Sequence, residues 1–225
     1  MQTTTRGARQ AGALVLALTL ASAAHASRHG VEEAEMLPRG ACELELAYAR
    51  AAGRVDQYLS ELSCGLGPVQ LNGELEHARE RGGSDTETAA EVKWAREVAP
   101  GWSAGLLLRA QWAAHQRPHH QSTALVGLLS YEASDSLGLH LNLGRDFLRG
   151  GGHLTRAGIG AEWGLNTDWK LLAERYAQDG THFFRGTVRY AAGRNWTLEF
   201  GRAQRLAGPD PSRWTLQVNI GLGGD

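Results

Sequence analysis

The chain has 225 residues with 23 basic against 24 acidic side chains, so it has no basic excess with which to hold a nucleic acid, and that partner class is excluded at the outset. Its 29 glycines against six prolines suit strands joined by tight turns, and the length fits one β-domain better than two. Hydropathy is low overall, which a barrel permits because only alternate residues of each strand need face lipid.

In chain order, residues 1–26 come first. Arg6 and Arg9 precede an apolar run from Ala11 to Ala24, closed by Ala24-His25-Ala26, and together these form the n-region, h-region and cleavage site of a signal peptide. At roughly 14 residues the run falls short of the about 20 needed by a spanning helix. Cleavage removes two arginines and no acids from the 23 and 24 counted above, leaving a charge of -3. No other long apolar run follows, so the exported chain is either soluble outside the cytoplasm or crosses a membrane as strands. Residues 27–39 are acidic and expected to form an unstructured periplasmic lead-in.

From residue 40 onward, segments of about ten residues alternate in polarity. Leu44, Leu46 and Tyr48 oppose Glu43 and Glu45, and Val69, Leu71 and Leu75 oppose Gln70, Asn72, Glu74 and Glu76. Val92 and Trp94 oppose Glu91 and Lys93. Leu137, Leu139, Leu141 and Leu143 oppose His140 and Asn142. Ala157, Ile159, Ala161 and Trp163 oppose Arg156 and Glu162, and Trp196, Leu198 and Phe200 oppose Thr197 and Glu199. Last and clearest, Trp214, Leu216, Val218, Ile220 and Leu222 alternate with Thr215, Gln217, Asn219 and Gly221. A period of two with one apolar and one polar face predicts strands. Two segments break the pattern: Leu106, Leu107 and Leu108 run together, and Thr123 to Tyr131 has no clear polar face. The count comes to about twelve strands, between ten and fourteen.

The connections alternate in kind. Gly67-Pro68, Ala99-Pro100-Gly101, Ser134-Asp135-Ser136, Asn166-Thr167-Asp168 and Gly193-Arg194-Asn195 are short, and Trp102, Trp169 and Trp196 follow three of them at once. The intervening stretches, among them Arg79 to Asp85, His115 to Gln121 and Gln178 to His182, read as longer and more polar. Short periplasmic turns, longer extracellular loops and an aromatic girdle are expected of an antiparallel up-and-down transmembrane β-barrel in a bacterial outer membrane, with that membrane's lipids and assembly machinery as partners. A soluble sandwich or barrel would give similar strands with the apolar face turned inward instead.

If the first hairpin turns about Gly53, residue i opposes residue 106 minus i, and Cys42 stands across from Cys64. Such a pair can be bridged, in a compartment where disulfides persist. A redox or metal-binding role would want a C-x-x-C spacing or neighbouring histidines, and neither is present.

With the apolar set outward, the other set lines a lumen. Strands one to four supply Glu43, Glu45, Glu61, Glu74, Glu76 and Glu91 against Lys93. Later strands supply Arg109, Arg156, Lys170, Arg185 and Arg189 among Glu162, Glu174 and Glu199, with His140 and Asn142 between. An acidic wall would then face a mainly basic one across either a pore or an interior plugged by ion pairs, since about twelve strands fall between the filled lumen of eight and the open lumen of sixteen.

Catalytic readings find little support. His153 and Thr155 have the spacing of a barrel lipid hydrolase but share the parity of Ala157 and Ile159, and His140 has no hydroxyl residue at i+2. The loop His115-Gln116-Arg117-Pro118-His119-His120 holds three histidines without a completing ligand, so neither a metal nor a cofactor is expected. Asn195-Trp196-Thr197 matches a glycosylation sequon, but in a periplasmic turn the match has no use.

Leu141-Asn142-Leu143-Gly144, Gly160-Ala161-Glu162-Trp163-Gly164, Glu174 and the final Leu216-Gln217-Val218-Asn219-Ile220-Gly221-Leu222 resemble small outer-membrane β-barrels of proteobacteria, including those grouped as transporter-like barrels of phenol-degradation pathways. The resemblance covers about the last two-fifths of the chain. It implies a role in passing small molecules; together with the lumen this gives a non-enzymatic narrow channel or uptake protein for small polar or aromatic molecules, with a closed structural or surface-binding barrel as the alternative and a barrel lipid hydrolase as the lesser one. The chain departs from that family at Leu222-Gly223-Gly224-Asp225, where such barrels usually end in an aromatic residue.

Overall fold

The computed structural model describes residues 30–52, 55–80 and 82–223; the expected signal peptide lies outside the described residues. Twelve strands follow one another: β1 (Cys42–Ala51), β2 (Val55–Gly65), β3 (Gln70–Glu80), β4 (Gly83–Ala99), β5 (Trp102–Ala113), β6 (His120–Ser134), β7 (Leu137–Leu148), β8 (His153–Gly164), β9 (Trp169–Gln178), β10 (Thr181–Ala191), β11 (Trp196–Ala207) and β12 (Arg213–Leu222). Each pairs antiparallel with the next, and β12 returns to pair with β1, so the sheet closes into a barrel without an edge. Closure satisfies every strand's backbone groups internally, which is the condition for crossing hydrocarbon.

Most apolar strand residues turn outward. Leu143 is 66 % exposed and Ile159 59 %, whereas Glu45 and Gln217 on the opposite face are 1 % exposed. A soluble sandwich would show the reverse. An apolar surface of this extent is unstable in water and belongs in lipid, so the fold is that of an outer-membrane β-barrel.

With twelve strands, β1 begins and β12 ends at the same end of the barrel, here the terminal end. Cys42 and Leu222 mark it, as do the turns at 66–69, 100–101, 135–136, 165–168 and 192–195. Trp102, Trp169 and Trp196 are the first residues of β5, β9 and β11, so all three stand at that end, and Trp102 and Trp169 pack on Tyr131 and Tyr190. At the opposite loop end, two connections that read as long are largely strand: pairing continues to Glu80 opposite Gly83 and to Gln178 opposite Thr181. Between the latter pair, Asp179 and Gly180 both have positive φ (51° and 74°), the conformation a two-residue hairpin needs to match strand twist.

The β1–β2 register places Cys42 opposite Cys64 and Ala51 opposite Val55, as rotation about Gly53 requires. The two cysteines are bridged, with Cα atoms 4.1 Å apart. For a loop of this length the bridge is worth about 3 kcal/mol through restriction of the unfolded chain. Reduction should therefore move the urea midpoint of the folded barrel down by a corresponding amount; an unchanged midpoint would show that the hairpin is equally ordered without it.

The two segments without clean alternation have a structural cause. Leu107 of β5 and Ala124, Val126 and Leu128 of β6 point inward and, with Ala95 of β4, form an apolar patch on the lumen wall. Residues 30–39, expected to trail from the barrel, cover it: they carry neither helix nor strand, but Ala34 is 1 % exposed and packs with Met36 on this patch. Val31 joins Tyr176, Phe183 and Ala203 in a second apolar cluster. The segment stays inside because both its apolar side chains and its backbone find partners there.

Candidate functional site

The interior is a polar lumen crossed by residues 30–37. Of the residues assigned to it by strand parity, Glu45, Glu61, Glu76, Glu91, Lys93, Asn142, Glu174, Arg185 and Glu199 are buried. Glu43, Glu74, Arg109, His140, Arg156, Glu162 and Arg189 are half-buried on the same face, and Lys170 is exposed at the terminal end of β9.

The expected opposition of an acidic and a basic wall gives way to pairing between close strands. Arg109 on β5 donates to both carboxylate oxygens of Glu74 on β3, at 2.7 and 3.0 Å, and lies 3.9 Å from Glu91 on β4. Further round, Arg156 meets Asp146 at 3.0 Å and Arg185 meets Glu174 at 3.8 Å. Arg189 reaches Glu199 at 2.7 Å and Glu162 at 2.9 Å, and Lys170 also reaches Glu162, at 2.6 Å. The reason is desolvation: an ion held out of water needs a partner in contact, and one or two strands over is closer than the far wall. The glutamates of β1 to β4 also engage amides: Gln217 donates to Glu45, Gln57 to Glu76, Asn72 to Glu91 and Gln111 to Glu87. Asn72 and Gln217 stand on polar faces visible in the sequence, whereas Gln57 and Gln111 were not singled out there. Their parity matches that of the named charges, and it is the signal that could have found them.

Within this lining the N-terminal segment is held residue by residue. Val31 N–H donates to Glu174 Oε1 at 2.9 Å, Ala34 N–H to Ser130 Oγ at 2.8 Å and Leu37 N–H to Gln70 Oε1 at 2.8 Å. Asn142 clasps the backbone of Glu32 from both sides: Glu32 N–H donates to Oδ1, and Nδ2 donates to Glu32 O. The Glu32 carboxylate lies 3.7 Å from Lys93 Nζ. The wall makes room with glycine, since a Cβ on Gly158 would stand 2.7 Å from Val31 and one on Gly65 2.3 Å from the carbonyl oxygens of Leu37 and Pro38.

The segment divides the interior. Mid-barrel, among Glu74, Arg109, Gln111 and Arg156, lies a cavity of about 40 Å³, room for a few waters. At the terminal end, two cavities of about 380 and 290 Å³ share Glu33, Glu35 and Arg189 in their linings. There, burial and then the neighbouring Glu33 and Glu132 carboxylates hold the Glu35 carboxyl above its ordinary range.

Ser130 Oγ lies 2.8 Å from His140 Nδ1, a pair formed across β6 and β7 that no spacing within one strand reveals. The hydroxyl also accepts the Ala34 N–H, so the segment sits directly on it. His153 and Thr155 are both exposed on the outer face. The loop histidines are engaged separately, His115 with Asp85, His119 with the Ala113 carbonyl and His120 with Thr123. Among the described residues no three histidine, cysteine or carboxylate side chains converge as a metal site.

A family model described as "Uncharacterised conserved protein UCP029691" matches residues 13–203. No curated protein matches the sequence. The KdgM porin has the same fold, with a TM-score of 0.66 at 12 % identity over 80 % of this chain and 99 % of that one. The NanC porin gives 0.59 at 12 % identity, over 80 % and 100 %. An outer membrane channel from Pseudomonas putida F1 gives 0.57 at 13 % identity, over 84 % and 97 %. At these identities the likeness establishes a twelve-strand outer-membrane barrel fold shared with porins and channels.

Proposed function

We propose that this chain, which belongs to the family described as "Uncharacterised conserved protein UCP029691", is a narrow, non-enzymatic outer-membrane channel or uptake protein for small polar or aromatic molecules. The terminal end faces the periplasm, Trp102, Trp169 and Trp196 form the girdle at that interface, and the membrane's lipids and assembly machinery are its partners. One observation carries the reading: what fills the middle of the lumen is a chain segment without regular structure, held by a few hydrogen bonds, one ion pair and apolar contacts to wall side chains. A wall of interlocked side chains would be a permanent plug, whereas a segment of this kind can leave as a unit. Charged and amide side chains would then line the passage.

Ala34→Glu tests this. The new carboxylate would lie against Leu107, Ala124, Val126 and Leu128, and burying it unpaired costs about 3 kcal/mol, enough to shift the seated population by about 100-fold. In planar bilayers or swelling liposomes the variant is expected to conduct far more than the parent chain. Equal impermeability of two correctly inserted proteins would leave the closed structural barrel, the reading favoured by the small mid-barrel volume.

A further inference from the structure

Residues 32–36 contact the wall as a bound ligand would. A carboxylate, that of Glu32, meets Lys93, whose side chain is 8 % exposed. An apolar body, Ala34 and Met36, lies on Leu107, Val126 and Leu128. Between them the polar backbone is read by Asn142, which both donates and accepts, and by the Ser130 hydroxyl. Lys93, Leu107 and Val126 face one another across β4, β5 and β6 in a single cross-strand row, which two strand spacings make about 10 Å long. Gly144 follows opposite Val126 without a side chain, and Arg156, held by Asp146, stands beyond it.

A cation as buried as Lys93 needs an anion in contact. Glu91, two residues along the same face, is engaged by Asn72 and Arg109, and the segment supplies Glu32. When the segment leaves, the wall presents an ammonium group, an apolar floor about one ring long, and hydrogen-bonding groups along one side.

We propose that this wall is the binding site for a small molecule with one carboxylate and a single apolar or aromatic body, and that residues 32–36 occupy the site until such a molecule displaces them and opens the barrel. The inference rests on the channel reading and names its solute class. The row is too short for an oligomer, and the floor too apolar for a sugar. Because solute and segment compete, the affinity measured on the full chain is lowered by the fraction of barrels already vacated.

The probes are benzoate, benzamide and acetate, titrated calorimetrically into the full chain folded in detergent, with parallel current recordings in planar bilayers. Benzoate is expected to bind at least about tenfold more tightly than benzamide, which lacks the charge, or acetate, which lacks the ring. Lys93→Gln should abolish the preference of benzoate over benzamide, in material whose gel mobility still shifts on boiling. Glu32→Gln should strengthen benzoate binding by loosening the competing segment.

Equal binding of benzoate and benzamide by the parent chain overturns the proposal without any variant, as does a preference that survives Lys93→Gln. Selective benzoate binding with no rise in current upholds the site and removes the channel reading. Current through the Ala34→Glu barrel without benzoate preference does the opposite.

Discussion

Arg109→Met is expected to destabilise the barrel by about 3–5 kcal/mol, the largest effect of any single substitution considered, because it leaves carboxylates buried without their counterion. Glu74 and Glu91 both face Arg109, the first through two short hydrogen bonds, and their side chains are each 10 % exposed. Methionine fills much of the same volume, so the loss reports charge more than packing. Adding Glu74→Gln should recover a large part of it, since the harm lies in the unpaired partner more than in the missing bond. Urea unfolding of the single and double variants, closed as a double-mutant cycle, measures the coupling. A single variant within about 1 kcal/mol of the parent would mean that lumen water already solvates these carboxylates, and the interior would be far wetter than its packing indicates.

Leu143→Arg tests the other face. Leu143 is the seventh residue of β7, level with Gly127 and Ala157 on the adjoining strands, and is 66 % exposed toward lipid. An arginine near the bilayer midplane of a barrel costs about 2–4 kcal/mol. Thr197→Arg, on the inward face beside the cavity of about 380 Å³, should cost much less, because its guanidinium can remain hydrated. Reversible folding titrations in lipid compare the two directly. Equal costs would contradict the assignment of faces, and with it the placement of the apolar belt in a membrane.

The strands and their facing were legible in the sequence because they rest on a local rule. With a period of two, a stretch such as Trp214 to Leu222 declares both its conformation and its two sides, and the register of the Cys42–Cys64 hairpin follows once its turn is placed at Gly53. The five terminal-end turns were legible for the same reason, each residing in two to four residues of turn chemistry. Strands β5 and β6 were legible as strands but not in their facing, and their irregularity was itself a signal: Leu107, Ala124, Val126 and Leu128 break the polar face because an apolar segment from elsewhere in the chain must sit on them.

Alternation, turn chemistry and the first hairpin's register were therefore settled by the sequence alone, since each depends on residues close together in the chain. Closure through β1 and β12, the choice of ion-pair partners and the entry of residues 30–37 into the lumen were decided only in three dimensions. Glu32 lies 61 positions from Lys93 and 110 from Asn142, and no periodicity couples residues so far apart. They meet because a closed barrel has one interior, where every buried charge and backbone N–H must find a partner among whatever the twelve strands bring together.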